Sequence, residues 1–318
     1  MFRLNNIHAG KKSIQVYFAL FMALFFLSVA LPSPAWAQGK KQRGFASPEE
    51  ALKTLVETVR GNDAKGMMDI LGPESEPLFS SGDEVRDGKE REWFVKAYQD
   101  RTDLVREKEN RVSAVLGNDA WPFPILIVKI GEEWVFDTRQ GKEEILNRRV
   151  GRNELSAIET CLAFVEAQRE YAGTDRERDG IIKYARKFMS TAGKRDGLYW
   201  EPREGEVPSP LGLLAARATA EGYRLTGTRS PYHGYYYKIL QGQGKSAPGG
   251  AYSYVINGHM VAGFAFAAWP AEYGESGVMT FIVNANGIVY EKDLGPKTEQ
   301  LVREIKIYNP DGTWKRAK

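Results

Sequence analysis

The chain has 318 residues, 42% of them hydrophobic and 12% aromatic, a composition that supports a packed core and excludes a disordered or low-complexity protein. Its 44 Lys+Arg and 41 Asp+Glu give a formal charge of only +3, and the sole cysteine, Cys161, excludes an intrachain disulfide. Three of the cations (Arg3, Lys11 and Lys12) precede residue 38, so residues 38–318 carry 41 charges of each sign. A balanced charge leaves no footprint for a phosphate backbone and argues against nucleic-acid binding.

Residues 1–37 follow the order of a secretory signal peptide: a basic start, an apolar run from Ile14 to Leu31, then Pro32-Ser33-Pro34 and the small-residue site Ala35-Trp36-Ala37. Cleavage between Ala37 and Gln38 is expected, which places the mature protein in the periplasm or outside the cell. If the segment is kept, its almost unbroken apolar run of 18 residues sits at the lower limit for a spanning helix, and the uncleaved signal is then the expected membrane attachment. Residues 38–44 read as a polar, disordered tail.

Ser47-Pro48-Glu49-Glu50 combines a cap, a proline suited to the first helical position and a capping-box glutamate, so a helix is expected from Pro48 to Gly61. Leu52, Leu55, Val56 and Val59 form its apolar face. A second helix follows from Asp63 to Leu71, stopped by Gly72-Pro73, and a third from Lys89 to Asp100, with Trp93, Phe94, Ala97 and Tyr98 facing inward. Strand signals come next at 111–116, 123–130 and 134–137. Helices followed by a curved antiparallel sheet predict an α+β domain over residues 45–150.

Asn153 is placed to cap a helix reaching about Tyr171, so residues 151–180 read as a connecting helix, with a further helix over 180–190. Cys161 falls on its apolar stripe with Ile158, Leu162 and Val165, as a buried small hydrophobe. Residues 181–318 form a β-rich domain. A helix is predicted over 211–220, with strands over 235–240, 252–256, 260–268, 278–283 and 288–292. Asn257-Gly258 and Asn286-Gly287 supply the positive-φ pairs of two-residue hairpins, and an antiparallel meander of about five strands follows.

The blocks Asp196-Gly197-Leu198-Tyr199-Trp200, Ser209-Pro210-Leu211-Gly212, Gly234-Tyr235-Tyr236-Tyr237-Lys238 and Pro270-Ala271-Glu272-Tyr273-Gly274 occur in that order, followed by Tyr290-Glu291-Lys292-Asp293-Leu294-Gly295-Pro296. Together they resemble the bacterial exported family known as domain of unknown function 2950, across essentially the whole mature chain. The resemblance implies export and assigns no reaction and no catalytic residue. Residues 45–140, from Ser47-Pro48-Glu49-Glu50-Ala51 to Gly131–Asp137, also resemble the nuclear-transport-factor-2-like fold. That likeness implies a cone-shaped pocket lined by Trp93, Tyr98, Trp121 and Trp134. The C-terminal half, a helix before a small antiparallel sheet with an Asn-Gly hairpin, is similar to pseudopilin globular domains.

Candidate chemistry is sparse. His233 and His259 have no second ligand at metal spacing, so no metal and no cofactor is expected. Gly242-Gln243-Gly244-Lys245-Ser246 lacks the earlier glycine of a phosphate loop, and no G-x-S-x-G elbow occurs. His233 lies between tyrosines, and with Tyr235 and Tyr237 it completes the candidate ligand-binding set. No catalytic set converges, so a non-catalytic envelope interaction or binding protein is expected, with an envelope protein or a small apolar ligand as partner. A small-ligand or enzymatic pocket in the N-terminal cone stands as the alternative, and a hydrolase using His233 with a nearby carboxylate as a weaker one.

Overall fold

In the computed structural model, residues 42–224 and 230–317 are described, and the expected leader and its cut site lie outside them. The described residues fall in one compact unit. No helix among the described residues is long and apolar enough to cross a membrane.

Three of the four N-terminal helices begin at a side-chain cap. The Ser47 hydroxyl accepts from the Glu50 amide at 3.1 Å, and Glu50 reaches back to accept from the Ala46 amide at 2.9 Å, which starts α1 (Pro48–Arg60). Asp63 accepts from the Gly66 amide and starts α2 (Ala64–Leu71). A short 3-10 turn, Pro73–Ser75, leads into α3 (Glu76–Phe79), and Asp83 caps α4 (Glu84–Asp100). Five antiparallel strands follow: β1 (Thr102–Lys108), β2 (Arg111–Leu116), β3 (Trp121–Pro122), β4 (Leu126–Ile130) and β5 (Glu133–Asp137). Their order is β1-β2-β4-β5, with β3 also on β2. Val112, Ala114 and Leu116 alternate into a core completed by Leu52, Leu55, Phe94, Ile127 and Phe136. Residues 42–44 run along this body: the Gln42 amide donates to the Ile70 and Phe136 carbonyls.

One helix, α5 (Thr138–Tyr171), spans 34 residues and serves both halves. It begins well before Asn153. That side chain, instead of capping, donates to the Ser276 carbonyl at 2.9 Å, a tertiary bond that a local pattern does not contain. Near its start Gly141 lies against the sheet, where a Cβ would meet the Pro124 carbonyl at 2.6 Å. Farther along, Ala157, Cys161, Phe164 and Val165 enter the second core.

The segment 180–190, expected as a helix, is not helical: Tyr184 and Met189 make isolated bridges to Met260 and Tyr199, with bends between them. Gln168, fully buried, exchanges two hydrogen bonds with Ala185: its amide donates to the Ala185 carbonyl at 2.7 Å, and its oxygen accepts from the Ala185 amide at 2.8 Å. Those bonds occupy backbone groups that a helix would need. After α6 (Gly212–Ala220) comes β6 (Tyr235–Leu240). Short ladders then pair β7 (Gly242–Gln243) with β8 (Tyr252–Ser253), and β9 (Val255–Ile256) with β10 (His259–Met260). Asn257 and Gly258, at φ 50° and 83°, make the predicted turn between β9 and β10.

The second sheet adds β11 (Ala265–Pro270), β12 (Met279–Asn284), β13 (Tyr290–Asp293) and β14 (Lys315–Arg316), in the meander order β14-β13-β12-β11-β6. Every residue of β11 is buried, because α5 packs on β11 and β12 while α7 (Thr298–Glu304) packs on β11. Seven α-helices and antiparallel sheets among the described residues make this an α+β protein.

Candidate functional site

A cavity of about 550 Å³ opens in the N-terminal half, within the range of roughly 300–1,000 Å³ that suits small-molecule ligands. Leu55 and Val59 of α1 and Met67 of α2 line it, as do Phe123 and Ile125 beside the sheet and Ile145 of α5. Trp93 of α4 and Trp121 of β3 meet edge to face within it, ring centroids 4.9 Å apart. Trp93 is 48% exposed, a large aromatic face left at the mouth.

The charged part of the lining comes from two helical faces. On α4, Arg86, Glu90 and Trp93 recur at helical spacing; on α5, Ile145, Arg149 and Arg152 do the same. The faces meet through Glu90, whose carboxylate lies 2.7 Å from Arg152, 3.3 Å from Arg86 and 3.7 Å from Arg149. Arg149 is 2% exposed. Its guanidinium donates to the Pro77 and Leu78 carbonyls at 2.5 and 2.6 Å, and its buried Nε has no hydrogen-bond partner among the described residues. Lys89 and five arginines line the cavity against Asp87 and Glu90, so the lining is cationic. Burial pushes the Asp87 carboxyl above its ordinary value, while the Ser81 amide and hydroxyl and the nearby Arg149 oppose that rise.

Of the residues expected to line this pocket, Trp93 and Trp121 do so. Trp134 is buried in the N-terminal core, its backbone paired with Phe45, and Tyr98 packs against that core; neither lines the cavity. The arginines and Glu90 match no local sequence motif. The available signal was Arg149 and Arg152 recurring in helical phase with Ile145, where an amphipathic helix usually continues with aliphatic residues.

His233, Tyr235 and Tyr237 lie in the C-terminal half. His233 is strained, at φ 50°. Its Nε2 is 2.5 Å from a Glu221 carboxylate oxygen, its ring stacks on Tyr232 with centroids 4.2 Å apart, and its buried Nδ1 has no partner among the described residues. Its amide donates to the Tyr223 hydroxyl, and that hydroxyl donates to Asp83, which also accepts from the Gly234 amide. Tyr235 is fully buried and donates to the Met279 carbonyl. Tyr237 packs edge-on against Phe164 of α5 and lines a separate cavity of about 160 Å³. The set therefore falls into separate places, with Trp93 and Trp121 in one and His233 and Tyr237 beside another. Among the described residues, no group of three or more His, Cys, Asp or Glu is placed to hold a metal ion.

The family described as "Protein of unknown function (DUF2950)" matches residues 42–317, and the chain belongs to that family. No curated protein and no solved structure matches the chain.

Proposed function

We propose that this family member is an exported binding protein that holds a small, largely apolar ligand in its N-terminal cavity. The observation that carries the reading is the cavity, of about 550 Å³, with Trp93 and Trp121 edge to face beside Leu55, Val59, Phe123 and Ile145 of its lining. Large exposed aromatic surface costs free energy in water, and an apolar guest removes it. Export is supported by the leader pattern of residues 1–37. Binding is favoured over catalysis because Arg149, the more deeply buried ionic group of the lining, is committed to two backbone carbonyls, an arrangement that fixes shape. An envelope partner protein is the second reading, without a comparable observation behind it.

A thermal-shift series with the mature protein tests this. Decanol, added below its solubility limit, should raise the melting temperature progressively with concentration, by several degrees at about a hundred times its dissociation constant. Ile145→Trp, which fills the cavity from α5, should abolish the rise. No shift in the parent protein, or an equal shift in the variant, rejects the reading.

A further inference from the structure

We infer that the ligand of this cavity carries a single oxyanion at one end, a carboxylate or a phosphate, held at the α4–α5 rim; the inference rests on the cavity reading above. Three guanidiniums, those of Arg86, Arg149 and Arg152, gather on the single carboxylate of Glu90. Across the lining, Lys89 and five arginines accompany only two acids, Asp87 and Glu90, and of these cations Arg148 is paired with Glu144. An apolar guest needs none of these cations.

Arg149 adds an independent point. A guanidinium has five N–H donors, and in the interior an unused one is costly. Its two terminal nitrogens serve Pro77 and Leu78, while Nε, buried within the cavity lining, has no partner among the described residues. The planar donor fork of arginine matches carboxylate and phosphate oxygens, and its weak hydration suits it to a partly dry site. Arg152, half-exposed, joins the same carboxylate from the solvent side. Glu90 thus occupies the place an incoming anion would share or take.

The apolar body then lies along Trp93, Trp121 and Phe123, which adjoin in sequence order at centroid distances of 4.9 and 5.8 Å. Chemistry and shape together describe a small amphiphile: one anionic head and one compact apolar body.

The test is competition against Nile red, an uncharged dye, bound to the mature protein, using four probes with a ten-carbon chain, each below its solubility limit or critical micelle concentration. Decanoate and decyl phosphate should displace the dye at concentrations at least tenfold below decanol, with decyltrimethylammonium weakest. The ranking of decanoate against decyl phosphate identifies the head. Arg152→Gln should remove most of the preference for the anions over decanol, and Glu90→Gln should widen it several-fold. Arg303→Gln, a like change on exposed α7, should alter nothing. Decanol equal to decanoate overturns the oxyanion and leaves the apolar cavity standing. An anion preference untouched by both rim variants overturns it equally, and failure of Nile red and all four probes to bind removes both readings.

Discussion

Arg149 shows how much a single buried charge decides here. With 2% of its surface exposed it donates to two carbonyls of the Pro77–Leu78 segment, fixing α3 against α5 and the cavity wall between them. Removing it strands those carbonyls, so Arg149→Leu should lower stability by roughly 3 kcal/mol or more in urea unfolding. Arg152→Gln, which breaks a half-exposed ion pair, should change it by less than about 1 kcal/mol; equal effects from the two would contradict the assigned roles. Cys161 makes a second residue-scale prediction. Burial pushes its thiol from 9.0 up to about 12. The neutral form is the one the fold favours, so this contribution to stability is complete below pH 9 and drains away as pH rises toward 12. At pH 8 an aromatic disulfide reagent should not label Cys161 until urea unfolds the protein, and rapid labelling in native buffer would contradict its burial.

At the scale of elements, α5 carries its own internal control. Gly141 touches the Pro124 carbonyl, whereas Gly151 has open space around it on the same helix. Gly141→Ala should push α5 off the sheet and cost about 1–3 kcal/mol. Gly151→Ala should stabilise by about 0.5–1 kcal/mol, since alanine loses less backbone freedom in a helix. Loss of stability in both variants would mean that the helix does not run through Gly151 as described. The elements legible in the sequence are those whose signals are local: the caps at Ser47 and Asp63, the alternation of Val112, Ala114 and Leu116, and the Asn257-Gly258 turn. The start of α5 was not legible, because two interior glycines weaken its pattern and Asn153 resembles a cap while serving Ser276. The local pattern of segment 180–190 misleads for a related reason: Gln168 claims the backbone of Ala185 from 17 residues away. The candidate site was legible only in its aromatics, since the gathering of Arg86, Arg149 and Arg152 on Glu90 joins helices far apart in the chain.

Across the whole molecule the two cores are joined by buried polar bonds as well as by α5. Asp83 caps α4 in the N-terminal half while accepting from Tyr223 and Gly234, and Glu154 of α5 accepts from the Val278 and Met279 amides. These joints predict one cooperative unfolding transition for residues 42–317. Tryptophan fluorescence, drawn from Trp93, Trp121 and Trp134 on one side and Trp200, Trp269 and Trp314 on the other, should coincide with far-ultraviolet circular dichroism. Asp83→Ala removes a cap, strands two further donors (the Tyr223 hydroxyl and the Gly234 amide) and should cost about 2 kcal/mol or more. Two separated transitions in the parent protein would refute the coupling. The α+β architecture thus acts as a frame: the meander and its helices anchor the far end of α5, and the near end supplies the cationic rim of the cavity.

The measurement that bears most directly on the cavity as a binding site is a Nile red titration of the mature protein followed by its blue-shifted emission, in parallel with Ile145→Trp. The expected result is saturable binding of one dye per chain, with affinity at least tenfold weaker in the variant at an unchanged fold by circular dichroism. Non-saturating emission, or a variant that binds as well as the parent, would contradict it.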